Sequence, residues 1–261
     1  SCLVGSEMCI RDRYEITLVN VPDGTYTVEE TSYAYDGAAV TVSYTVDGID
    51  GEGTEASGIT LIGGNTADVE FVDTYKLGTV KFTKAGLYKE SCAEDPDDVK
   101  MLDGVEFALY EGTDTECENP VMTATSVNGV VTFKDLKIGT YLVKESKTIG
   151  DYIIDNTVYT AEVTEANIDT YAVLNGVQDN TLINDLPRTD LKIEKVAEEN
   201  NGIKLPNSVY GLYKENENGE EEFVAKATTD SNGVLKFDGI LIGTEYTIRE
   251  IQAPDGYYVS E

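Results

Sequence analysis

The sequence predicts an all-β chain made of tandem antiparallel β-sandwich domains. Three observations lead there. Short segments rich in Val, Ile, Thr and Tyr alternate apolar and polar residues, as in VKFTK (80–84) and GVEFALY (104–110). Asn-Gly pairs sit between such segments, in SVNGVVTF (126–133) and DSNGVLKF (230–237), which is the chemistry of a two-residue hairpin turn. One element also recurs three times: GTYTVEE (24–30), GTYLVKE (139–145) and GTEYTIRE (243–250). No segment has a convincing helical period, and no run of about 18 apolar residues exists to span a membrane.

The repeats are out of phase with the ends of the chain. Lys84 and Lys195 are 111 residues apart, as are Asp73 and Asn184, and each of the latter two precedes its lysine by eleven. GVEFALY and NSVYGLY (207–213) are corresponding strands of successive units. A period of this length holds about seven short strands, one sandwich. Residues 14–75 therefore read as the C-terminal part of a first domain, 76–187 as a complete one, and 188–261 as the N-terminal part of a third, so two of the three are truncated. Residues 1–13 stand apart. LVGSEMCIRDR (3–13) resembles the translation of a sequencing adapter, and the true amino terminus is expected upstream of it.

Composition narrows the function. The 261 residues carry 49 acidic and 19 basic side chains, a formal charge of −30. Nucleic acid and anionic membrane faces need basic patches, so neither is an expected partner. Histidine and tryptophan are absent. Most histidine-based acid–base, nucleophilic and metal chemistry is then out of reach, so no metal or cofactor is expected and the chain is not read as an enzyme.

Strand parity raises one question. On the first strand of the complete unit Val80, Phe82 and Lys84 share a face; on a middle strand Tyr141, Val143 and Glu145 do; on the last, Leu182 and Asn184 do. The same parity groups Leu191, Ile193 and Lys195; Tyr246, Ile248 and Glu250; Tyr26, Val28 and Glu30; and Val69, Phe71 and Asp73. One such group at a strand end can snorkel to water or form a partly exposed ion pair. Three aimed at one interior, in register-matched repeats, suggest that they react. A desolvated lysine has a lowered pKa and becomes a nucleophile. A glutamic acid kept protonated nearby can hydrogen-bond the acceptor carbonyl and relay the proton. Folding supplies the effective molarity. Asn184 would lose ammonia, and Asp73 in its own unit would lose water.

These residues carry a family resemblance. VKFTK, GVEFALY, VNGVVTF, GTYLVKE and LIND in the complete unit, with LKIEK and GTEYTIREIQAPDGYY in the last, resemble the collagen-adhesin B-type (SpaA, prealbumin-like, reverse Ig-like) repeat domains of Gram-positive surface proteins and pilins. The resemblance runs from residue 14 onward. It implies an autocatalytic intramolecular Lys–Asn or Lys–Asp isopeptide bond with a catalytic glutamate. Carried over, Lys84, Glu145 and Asn184 form one complete set. Glu30 and Asp73 lack their lysine, and Lys195 and Glu250 lack their acceptor. Asp73 stands where asparagine is commoner.

The resemblance further implies a structural stalk or adhesin segment outside the cell, anchored to the wall of a Gram-positive bacterium by a sortase signal beyond this stretch. Its partner would be a host or cell-surface protein or glycan of unidentified kind. The alternative is a carbohydrate- or protein-binding module appended to a secreted enzyme. Three further signals are weaker. LPRTD (186–190) differs from a sortase signal by Asp190 in place of glycine and reads as an interdomain linker. A calcium loop at 214–222 would need a carboxylate where Lys214 stands, so that stretch reads as a solvated turn. Cys92 and Cys117 form a candidate disulfide outside the cell.

Overall fold

The computed structural model describes residues 21–31, 39–200 and 202–259, together with Leu18 and the backbone of two short strands near the start. β1 (Leu3–Val4) and β2 (Glu7–Cys9) lie in the segment before the first unit, which contributes β3 (Gly24–Glu29), β4 (Ala39–Val46), β5 (Ile49–Glu52), β6 (Glu55–Leu61) and β7 (Val69–Lys76). They form one sheet in the order β1-β2-β7-β4-β5 and a second of β3 and β6. Most of residues 1–13 lie outside the described residues.

The middle unit contains β8 (Gly78–Leu87), β9 (Val99–Met101), β10 (Glu106–Glu111), β11 (Met122–Thr125), β12 (Val130–Leu136), β13 (Gly139–Lys147), β14 (Val158–Val163) and β15 (Thr181–Asn184). One sheet runs β11-β10-β13-β14; the other runs β12-β8-β15, with β9 also on β8. The third unit has β16 (Arg188–Glu194), β17 (Val209–Glu215), β18 (Glu221–Thr228), β19 (Val234–Leu241) and β20 (Tyr246–Gln252), paired as β16-β19 and β18-β17-β20.

The middle core lies between its two sheets. Val80 and Phe82 of β8 and Val131 and Phe133 of β12 meet Phe107 and Leu109 of β10 and Tyr141 and Val143 of β13. Each pair is spaced by two, because alternate strand residues face the same way. Phe82 and Phe107 pack edge to face, ring centres 5.0 Å apart.

Two features depart from the sequence reading. Asn128 and Gly129 both have positive φ, 50° and 70°, the requirement of the tight turn that Asn-Gly favours. The turn does not close a hairpin within one sheet, however. It is pinched by a bridge from Val127 to Val130, while β11 before it pairs with β10 and β12 after it pairs with β8. The turn is a corner between sheets, and the crossing brings Val131 and Phe133 onto the far wall of the core.

The second departure concerns the first and last strands of the unit. β15 pairs with β8 in parallel, Leu182 opposite Lys84 and Asn184 opposite Gly86, whereas the other strand pairs described are antiparallel. A parallel pair needs a long connection; the rest of the unit supplies it, ending in residues 164–180 between β14 and β15. That segment lies on β8 on its way: Ala172 N–H donates to the Thr79 carbonyl at 2.7 Å, and Lys81 N–H donates back to the Ala172 carbonyl at 3.1 Å. Asn180 Nδ2 donates to the Lys81 carbonyl at 2.7 Å and so starts β15 in register.

Phe82→Ala removes the ring at the centre of this core and is expected to destabilise the middle unit by about 3–5 kcal/mol. Hydrogen exchange of the β8 and β12 amides then accelerates, while amides of β17 and β20 keep their rates. Equal acceleration in both units would contradict the separate cores.

Candidate functional site

Lys84 ends the inward row Val80–Phe82–Lys84 on β8, and Asn184 ends the row Leu182–Asn184 on the adjacent β15. Glu145 follows Tyr141 and Val143 on β13, in the facing sheet. The three side chains meet. Lys84 Nζ donates to Asn184 Oδ1 at 2.6 Å. Asn184 Nδ2 donates to Glu145 Oε1 at 2.7 Å, and Glu145 Oε2 lies 3.6 Å from Lys84 Nζ. Lys84 is 0 % exposed and Glu145 and Asn184 are each 2 % exposed, so the three groups are shielded from bulk water. The proton carriers form a ring of amine, carboxamide and carboxyl.

Burial pulls the Lys84 pKa below its ordinary value, against the opposing charges of Glu145 and Asp155. The neutral amine that nucleophilic attack requires is thereby favoured. Glu145 Oε2 is buried and has no hydrogen-bond partner.

Three neighbours complete the site without a motif to announce them. Thr148 Oγ1 accepts a second hydrogen bond from Asn184 Nδ2 at 3.1 Å. Asp155 acts on Lys84 through its charge. Burial raises the Asp155 pKa, but hydrogen bonds from Tyr159 and Thr157 outweigh this and hold it below the usual value. Tyr159 donates to Asp155 at 2.6 Å, and burial together with that bond pushes its own pKa up to about 12. Their only sequence signal is nearness to Glu145, and nothing in strand parity singles them out.

The other two units hold partial versions of the site. Lys195 Nζ pairs with Glu250 Oε2 at 3.1 Å, with the lysine side chain 25 % exposed. Burial lowers the Lys195 pKa, but hydrogen bonds to Glu250 and Tyr210 more than reverse the effect, so this lysine is held charged. In the first unit, Glu30 Oε2 and Asp73 Oδ1 are both buried without a hydrogen-bond partner. Burial and then the Asp73 charge raise the Glu30 pKa, and burial raises that of Asp73. The Asp73 charge thus reaches Glu30 across the first unit.

The candidate disulfide is corrected. Cys92 and Cys117 are both free thiols. Cys92 packs against the core of the third unit, while Cys117 packs against Ala108, Tyr110 and Leu142 on the outer side of the β10–β13 sheet. The loop after β8 turns toward the next domain and carries Cys92 away from its supposed partner.

A family model described as SpaA, prealbumin-like fold domain matches residues 93–177 and 189–261, more than half of the chain. The matched segments include Glu145 and Glu250 and stop short of Lys84 and Asn184. No curated protein matches. Among solved structures, the chain is similar to the Bacillus anthracis TIE protein, with 22 % identity and a TM-score of 0.47 over 95 % of this chain and 55 % of that one. It therefore spans just over half that protein's length. It is also similar to a streptococcal ancillary pilin (18 %, TM-score 0.30, over 91 % of this chain and 69 % of that one). A third is the shaft pilin SpaA from Lactobacillus rhamnosus GG (16 %, TM-score 0.29, over 71 % and 91 %).

The lowered Lys84 pKa has a consequence for stability before any reaction. Between its folded value and the unfolded value of about 10.4, the unfolded chain holds a proton that the folded chain does not. Stability therefore rises with pH across that window, and below it the full penalty of burying the ammonium applies. Urea midpoints of Glu145→Gln and of Lys84→Met/Glu145→Gln, measured against pH, test this. The double variant is expected to be the more stable at neutral pH, with the gap closing toward the upper limit of the window. A gap independent of pH contradicts the reading.

Proposed function

Because the chain belongs to the SpaA prealbumin-like fold domain family, we propose that it is a stalk segment of a Gram-positive surface protein, pilus shaft or adhesin, whose middle unit cross-links itself. The observation that carries the proposal is the contact of Lys84 Nζ with Asn184 at 2.6 Å inside a pocket closed to water.

The reaction is an amide exchange. The neutral Lys84 Nζ attacks Asn184 Cγ and forms the new C–N bond. Its surplus proton passes to Glu145 Oε2. The carboxyl, whose Oε1 accepts from Asn184 Nδ2 at 2.7 Å, then turns to give the proton taken up at Oε2 to that nitrogen, and the old Cγ–Nδ2 bond breaks to release ammonia. One proton leaves the amine and one joins the leaving group, so the carboxyl ends unchanged. This assignment differs from the role the sequence suggested for Glu145. The carboxyl sits on the leaving-nitrogen side of the carboxamide, and Lys84 itself faces the carbonyl oxygen. Thr148 holds Nδ2 from another direction and keeps the carboxamide from turning. The chemistry happens once per molecule, so it is maturation and not turnover.

The placement of the bond supports a mechanical role. Lys84 and Asn184 are 100 residues apart, and closing a loop of that length is worth about 4–5 kcal/mol on the entropy model for disulfides. More important, β8 opens the unit and β15 closes it. Tension entering along one strand passes to the other through a covalent bond, and the sandwich between them is not stretched. Glu30 with Asp73, and Lys195 with Glu250, are read as parts of the same device in the flanking units. The acidic surface suits a chain exposed outside the cell, and sortase anchoring beyond this stretch belongs to the same reading.

The intact mass of the purified chain is expected to fall short of the sequence mass by one ammonia. Lys84→Ala and Glu145→Ala restore it. A folded wild-type chain with its full mass would sink the proposal.

A further inference from the structure

A tyrosine that recurs in all three units changes partner at one boundary. Tyr26 and Tyr141 each donate to the carbonyl four residues back, Pro22 at 2.6 Å and Lys137 at 3.0 Å. Tyr246, at the same point of the repeat, donates instead to Glu90 Oε1 at 2.7 Å, across the seam between the middle and third units. Its oxygen also accepts from Leu241 N–H at 3.0 Å, so it is fixed from its own side.

Glu90 is 1 % exposed although it lies in the connection after β8. Lys214 Nζ of the third unit contacts both of its oxygens at 3.0 Å. A carboxylate stripped of water must find donors in protein, and stranding it costs several kcal/mol. This one finds its donors in the next domain. The backbone beside it makes the same crossing: Ser91 N–H donates to the Gly239 carbonyl at 3.0 Å. Gly239 has φ of +61°, and a Cβ there would lie 2.3 Å from Ser91 Oγ, so the two segments approach where only glycine fits. Arg188, at the start of β16, clamps the contact by donating to the Lys89 carbonyl on one side and the Gly239 carbonyl on the other while pairing with Asp185. At the seam between the first and middle units, by contrast, Lys76 pairs with Asp169, whose side chain is 71 % exposed.

We propose that residues 88–93 of the middle unit are a docking element for the unit that follows, and that Glu90 fixes the angle between the two so that they move as one rigid body. The proposal is independent of the Lys84–Asn184 bond, which lies in the interior of the middle unit.

Residual dipolar couplings of the full chain test it. Wild-type couplings from the middle and third units are expected to fit one common alignment tensor. In Glu90→Ala the common fit is lost and each unit requires its own tensor, while the intact mass changes only by the substitution. Lys214→Met, which leaves the middle unit's own residues untouched, is expected to act in the same direction. Two tensors in the wild type would overturn the proposal, and so would a single unchanged tensor in both variants.

Discussion

An amine held away from water is the constraint around which the middle unit is organised. Lys84 is fully buried, and an ammonium in that position without compensation would cost more than most single contacts return. The fold meets this cost by bringing two further polar groups to the same point: Asn184 from the neighbouring strand and Glu145 from the facing sheet. That requirement explains the parallel pairing of β8 and β15. Only a last strand laid directly beside the first, in the register that sets Asn184 two residues past Lys84, puts the carboxamide within reach of the amine. The crossover through Ala172 and Asn180 is what delivers the strand there.

The repeats act as an internal control. Lys195 and Glu250 occupy the positions of Lys84 and Glu145, yet their lysine is a quarter exposed and held charged. In the middle unit β15 covers the lysine strand on one side; among the described residues β16 pairs with β19 alone. The motif therefore does not set the chemistry by itself. Where a neighbouring strand closes the pocket, burial holds the lysine pKa below its ordinary value; where none does, hydrogen bonds to Glu250 and Tyr210 hold it above.

How much of this was legible in the sequence depends on the range of the interaction. Parity along a strand is local, so the inward aim of Lys84, Glu145 and Asn184 followed from alternation with Val80, Phe82, Val143 and Leu182. Turn chemistry is local too, and Asn128-Gly129 turns as its residues require. What the turn connects is not local: the same dipeptide serves a hairpin or a corner between sheets, and only packing against Phe82 and Phe107 decides. Thr148 and Asp155 enter the site through loop geometry that no periodicity encodes, and Tyr159 on β14 joins it through its hydrogen bond to Asp155. Cys92 misled because the loop after β8 answers to the next domain and not to its own.

Site and seam together fit the proposed load-bearing role. A bond between the first and last strands would carry tension past one sandwich, and the buried Glu90 contact would pass its direction to the next. Both depend on polar groups that have lost water and are satisfied by a partner far away in sequence. The bond is the more fundamental of the two. A crystal structure at a resolution that separates bonded from non-bonded atoms tests it most directly. The account predicts continuous density from Lys84 Nζ to Asn184 Cγ at an amide bond length of about 1.33 Å, with no nitrogen left at Nδ2. An intact carboxamide hydrogen-bonded to a free lysine amine would contradict it.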